Sequence, residues 1–214
     1  MANIKVVSLE PYATGERYLL ATGGTETQLR QGGSDSTTLG TSDTGRTLWG
    51  KSGLGIPRMV QSFLSFDVSE IPVGSKIKSA TLKLRGLDGS FNPPHSTYIF
   101  DSTWDGIGAI ATSDWQDLTG LSLSDTIFDS EYSFPLSAWG EITHNLNASG
   151  IAAIESKLKN KQYAMMLALD DSIPPGILPT GLVDEDNTID MITVPPVFTI
   201  TFEPANGLSL GTIF

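Results

Sequence analysis

Cysteine is absent from the 214 residues, which excludes disulfides, thiolate catalysis and Cys-based zinc sites and leaves the fold to rest on its core. Basic residues are scarce: 13 Lys+Arg stand against 24 Asp+Glu, a net charge of −11. A nucleic-acid partner needs a cationic face to replace phosphate counterions, and 13 scattered cations make that face hard to build. Anionic membrane surfaces are disfavoured by the same repulsion. No apolar run approaches the length of a membrane-spanning helix. The first residues, Met1 to Val7, lack the unbroken apolar segment of a signal peptide. The expectation is a chain made in a cytosol that reaches its destination without a secretion signal of its own. Internal repeats and low-complexity tracts are also missing.

What is present is a core. Apolar residues make up 39% of the chain, enough to exclude disorder as a whole. The length suits one all-β domain better than two independent cores.

Short β-branched and alternating segments dominate. Residues 3–9 read as a strand that ends before Pro11, and segments 16–21 and 25–30 flank Gly23-Gly24 as a hairpin. Residues 31–55 read as short strand pieces between loops. Met59 to Phe66 is an apolar run that closes at Asp67-Val68-Ser69 and turns through Pro72 and Gly74. In the next segment Ala80, Leu82 and Leu84 share one face, and Ser79, Thr81, Lys83 and Arg85 the other. That period of two marks a half-buried strand. Residues 86–128 are loop-rich, with a strand at 97–100, and 132–136 and 141–146 are further short strands. A helix is expected from Ser149 as cap, with Ile151, Ile154 and Leu158 on one face. Tyr163 to Leu169 is apolar throughout, as a strand buried on both faces would be, and Phe198 to Phe202 is the last strand. Nine or ten short strands with one helix predict an antiparallel two-sheet sandwich, jelly-roll-like, with its helix near 149–160.

Three stretches resemble a known group. Phe66-Asp67-Val68-Ser69-Glu70-Ile71-Pro72-Val73-Gly74, followed by Ile77-Lys78-Ser79-Ala80-Thr81-Leu82-Lys83-Leu84, resembles the signature of DNRLRE-type β-sandwich domains. Leu146 to Ile154 is similar to the short helix of that group. The strand ending Leu169-Asp170-Asp171 and the closing Pro195-Pro196-Val197-Phe198-Thr199-Ile200-Thr201-Phe202 resemble its last two strands. The likeness runs through residues 55–203, leaving 1–54 as N-terminal strands and loops packed on the sandwich and 204–214 as a tail.

The resemblance implies a non-catalytic jelly-roll-like sandwich of the kind found in bacterial surface proteins, carbohydrate-binding modules and phage virion proteins. The extra N-terminal region, and the lack of a signal peptide and of a partner enzyme domain, turn the expectation towards a virion component. That component would be a capsid decoration, head fibre, neck or tail protein whose partners are other virion proteins and a homo-oligomer. The alternative is a carbohydrate-binding module for attachment at a bacterial cell surface or outside the cell.

The residues themselves nominate few sites. Neither His95 nor His144 has an acid or nucleophile at a recognised spacing, and no G-x-S-x-G, H-E-x-x-H or paired-carboxylate motif occurs. A non-enzyme is therefore expected. Asp184, Asp186 and Asp190 cluster hard oxygen ligands that suit calcium, although the pattern is not an EF-hand. A solvated acidic loop explains them equally well. Trp104 and Trp115 each neighbour an aspartate, an arrangement that suits sugar stacking, and core packing is the competing explanation. Ile213 and Phe214 end an apolar tail that points to partner subunits, or to packing on its own sandwich.

Overall fold

The computed structural model describes residues 4–20, 26–31, 39–40, 44–51, 57–86, 96–107, 110, 112–114, 116–128, 132–133, 140–169, 173, 184–191 and 193–205. Twelve strands and two α-helices occur among these residues: β1 (Lys5–Leu9), β2 (Pro11–Leu20), α1 (Glu26–Gln31), β3 (Leu39–Gly40), β4 (Thr44–Lys51), β5 (Pro57–Asp67), β6 (Lys76–Arg85), β7 (Ser96–Asp101), β8 (Tyr132–Ser133), β9 (Glu141–Asn145), α2 (Ala148–Lys157), β10 (Gln162–Leu169), β11 (Asp184–Asp190) and β12 (Val197–Glu203). The expected all-β sandwich with one helix near 149–160 is the observed architecture. A small sheet runs β1-β12-β6-β9, and a large one runs β11-β4-β5-β10-β7-β8 with β2 and β3 attached. Every pairing between these strands is antiparallel.

β5 organises the large sheet. It pairs with β2 from Arg58 to Phe66. It also pairs with β4 from Pro57 to Val60 and with β10 from Ser62 to Asp67. A strand has two edges, so with β2 along one, β4 and β10 succeed each other along the other, meeting near Gln61. β1 lies in the small sheet, and β2 and β4 flank β5.

The inner faces of the two sheets meet in one core. Leu64 and Phe66 from β5, Tyr163, Met165 and Leu167 from β10, and Ile99 pack against Ala80, Leu82 and Leu84 from β6 and Phe198, Ile200 and Phe202 from β12. The period of two in β6 places those side chains inward. It is interrupted at Lys78–Ser79, where the pairing with β12 shifts register between Thr201 and Phe202. That shift returns Ile77 to the core. At the β5–β6 connection the Ser69 N–H donates to Asp67 Oδ1 at 2.8 Å, which closes an Asx turn. Gly74 at φ 83° completes the reversal in a conformation that suits glycine.

The opposite face of the large sheet is buried as well. Met59 and Phe63 from β5, and Ala164, Met166 and Ala168 from β10, pack under Trp104, Ile110 and Leu118 in a second core. The loop-rich middle of the chain therefore forms a third layer. This double burial is why β10 is apolar from Tyr163 to Leu169.

Two local expectations differ. Segment 25–30 was expected to be a strand, but Glu26–Gln31 is the helix α1. Its Glu-Thr-Gln-Leu-Arg-Gln sequence is mostly straight-chain residues that lose little freedom in a helix. α2 is capped by Asn147, whose Oδ1 accepts from the Gly150 N–H at 3.1 Å, rather than by Ser149. Ile154 and Leu158 are buried, and Ile151 is partly so.

Leu82 is fully buried between the sheets. Leu82→Ala is expected to lower unfolding free energy by about 2–5 kcal/mol, measured by urea denaturation. An unchanged midpoint would contradict the two-sheet core.

His144, on the inner side of β9 opposite Leu82, is 2% exposed and meets Phe128 edge-on with ring centroids 5.9 Å apart. Burial lowers its pKa from 6.5 to about 4. The unfolded chain therefore takes up this proton first, so the neutral-imidazole contribution is present above pH 6.5, declines as pH falls towards 4, and is gone below it. Over that window wild type should lose about 3 kcal/mol of stability relative to His144→Gln, read from unfolding curves at stepped pH. Parallel curves for the two chains would refute the buried neutral imidazole.

Candidate functional site

The loop layer over the large sheet gathers the polar and aromatic residues that the sequence singles out. Two clips hold it to β5. Gln61 Nε2 donates to the Gln116 carbonyl at 2.8 Å, and the Gln116 N–H donates to Gln61 Oε1 at 3.1 Å. A side-chain amide thus mimics a strand partner near the place where β4 gives way to β10. The second clip is Ser65, whose Oγ donates to the Gly106 carbonyl at 2.8 Å. At Gly106, φ is +82°, and an added Cβ would lie 2.4 Å from Ser65 Oγ. Glycine is required there by both conformation and space.

Trp104 sits inside this layer. It is 3% exposed and packs edge-on against Phe63, with ring centroids 6.2 Å apart. Its N–H donates to no group among the described residues. A sugar-stacking platform must present an open ring face, so the structure corrects that reading of Trp104 and makes it a core residue. The sequence signal was ambiguous because an Asp next to a Trp also suits a turn: the Ile107 N–H donates to Asp105 Oδ1 at 2.8 Å. Trp115 lies outside the described residues, as do Ile213 and Phe214.

The acidic segment expected as a loop is strand β11, paired with β4 from Asp184↔Gly50 to Asp190↔Thr44. The side chains of Asp184 and Asp186 lie outside those described. Asp190 is 2% exposed; its Oδ1 accepts from the Thr193 N–H at 2.7 Å and its Oδ2 from the Val194 N–H at 3.1 Å. Both carboxylate oxygens therefore serve the turn into β12. Among the described residues, no group of three or more His, Asp or Glu side chains could hold a metal ion.

Sequence reasoning missed a cluster where α2 meets the large sheet. Lys157 Nζ donates to Asp101 Oδ1 at 2.6 Å and to the Ser102 carbonyl at 3.0 Å, and it lies 5.6 Å from the Tyr163 ring centroid. Burial, with Asp101 adding to it, raises the Tyr163 pKa well above 10, so the phenol stays protonated. The ammonium is held between a carboxylate and a carbonyl while covering an aromatic ring. This arrangement ties the end of α2 to the end of β7. The partners are 56 residues apart, so no local spacing could announce them.

The outward side of the small sheet is polar. Register aligns Ser8, Thr199, Thr81 and Asn145 in one row across β1, β12, β6 and β9. Lys78 pairs with Glu203 at 2.6 Å and Lys83 with Glu141 at 2.7 Å. At its β1 border Ile4 is 58% and Val6 64% exposed. No helix among the described residues is long and apolar enough to cross a membrane.

Asp190→Ala is expected to destabilise the fold by about 1–3 kcal/mol through two orphaned amides. The loss should be the same in calcium and in chelator. A wild-type melting temperature that rises with calcium and falls with chelator, with the response abolished in Asp190→Ala, would restore the calcium reading.

No family model matches the chain, and no curated protein matches it. Among solved structures, the K1 cleaved adhesin domain of Lys-gingipain from Porphyromonas gingivalis W83 is similar over 94% of this chain and 99% of its own length, at 12% identity and a TM-score of 0.32. A superposition that loose carries no argument about function, and the fold class rests on the two antiparallel sheets themselves.

Proposed function

We propose that this chain is a non-catalytic structural protein that works through protein–protein contacts, as a phage virion component of the capsid-decoration, head-fibre, neck or tail kind. The observation that carries the reading is the border of the small sheet. There, among the described residues, β1 is hydrogen-bonded along one edge only, and Ile4 and Val6 are exposed. Open strand edges and exposed apolar side chains are features of contact surfaces. The resemblance of residues 55–203 to DNRLRE-type domains supports the same setting. The carbohydrate-binding alternative loses Trp104 to the core and retains Trp115 as its aromatic candidate.

Mass spectrometry of virus particles purified from cells carrying the coding sequence tests the proposal. The chain should be present in several copies per particle and should persist through density-gradient sedimentation. Its absence from particles, together with glycan-array binding that Trp115→Ala abolishes, would replace the virion reading with the carbohydrate one.

A further inference from the structure

We infer that the β9 border of the small sheet is an acid-responsive element: when the imidazole of His144 takes up a proton, β9 parts from β6 and loosens residues 126–128 and the start of α2, ahead of the rest of the fold. This opening does not depend on the virion reading above.

His144 lies on a strand of five residues that, among the described strands, pairs with β6 alone. Its ring is 2% exposed and meets the Phe128 ring edge-on. The backbone around Phe128 is held between the two sheets. The Ile127 N–H donates to the Ile99 carbonyl of β7 at 3.0 Å, and the Ile127 carbonyl accepts from the Asn147 N–H at 2.9 Å. The Asn147 side chain donates to the Thr126 carbonyl at 2.6 Å and to the Phe128 carbonyl at 3.3 Å while its oxygen caps α2. Leu146 forms a bridge with Phe128, and its N–H donates to the Ala80 carbonyl at 2.9 Å. His144 is thus two and three residues from the groups that close this clamp. β9 cannot swing out to wet the imidazole without loosening it.

Among the described residues, the charged groups of the surrounding elements are directed elsewhere. Glu141 at the start of β9 pairs with Lys83 of β6, and alternation puts Arg85 on the outer side with Lys83. Asp125 accepts from the Ser122 N–H, Glu155 of α2 from the Ile77 N–H, and Asp190 of β11 from the Thr193 and Val194 N–H groups. Lys157 is held by Asp101. An imidazolium beside Phe128 therefore bears a desolvation cost that opening removes. With imidazole pKa values of about 4 when closed and 6.5 when wetted, the open population rises roughly 100-fold from pH 7 to pH 4. β5 and β10, in contrast, have strands on both edges and a core on each face, so the border yields before they do. In acid surroundings the chain thus uncovers apolar groups such as Leu82 and Phe128 while its large sheet stays closed.

Hydrogen exchange of the full chain, followed amide by amide by NMR and expressed as protection factors at neutral pH and in acid, reads the opening directly. Under both conditions the Ile127, Leu146 and Asn147 amides should be less protected than those of Met165 and Leu167 in β10. Their protection should fall roughly 100-fold from pH 7 to pH 4. His144→Gln and His144→Leu should each abolish most of that fall. Equal protection of these three amides and of β10 overturns the inference, since β9 would then open only when the whole chain unfolds. A fall that survives in both variants also overturns it, because another group would then be taking up the proton. Should neither variant fold, the wild-type comparison with β10 and the size of the fall decide the matter.

Discussion

Pairing of β5 along both edges, with burial of both its faces, is the constraint on which the rest of the fold depends. β2 occupies one edge while β4 and β10 divide the other. Leu64 and Phe66 point into the inter-sheet core, and Met59 and Phe63 point under the loop layer. Strands that meet β5 come from residues as far apart as Pro11 and Leu167. Such non-local contacts cost loop-closure entropy before burial offsets it. β2 and β4, which precede β5 in the chain, and β10, which follows it, are all its hydrogen-bonded neighbours.

Polar groups inside β5 show how the third layer is specified. Gln61 and Ser65 are both fully buried, and an unpaired amide or hydroxyl at such depth costs about 1–3 kcal/mol. Their bonds to Gln116 and Gly106 remove that penalty only when the loops lie in one position. Apolar contacts with Trp104 and Leu118 supply attraction without direction, and the two clips supply the direction.

Sheet class, the alternation of β6 and the double burial of β10 were legible because each is a local periodicity. Phe66, Ala80, Leu82, Leu84, Leu167 and Phe202 share one core, as those patterns predict. α1 was misread because a short polar segment after a glycine pair carries no strong signal of either kind. β11 was misread because its acidic residues have low strand propensity, and its pairing with β4 supplies what propensity lacks. The candidate site was less legible. Trp104 beside Asp105 reads alike as a platform or as an Asx turn over a core aromatic, and only the position of Phe63, 41 residues earlier, decides it. The Asp101–Lys157–Tyr163 cluster depends wholly on where α2 docks.

β1 and β12, the first and last strands of the described chain, lie side by side with Lys5 opposite Phe202 and Leu9 opposite Phe198. Tension applied between the two ends would therefore enter this ladder at Lys5 and Phe202 and pull across its hydrogen bonds. It would load them one after another, as in opening a zipper, where strands drawn lengthwise past each other would share the load among all their bonds. The small sheet is thus built to yield at its β1 border under low force. The large sheet, which neither strand enters, would still hold β5 between its neighbours when that border had opened.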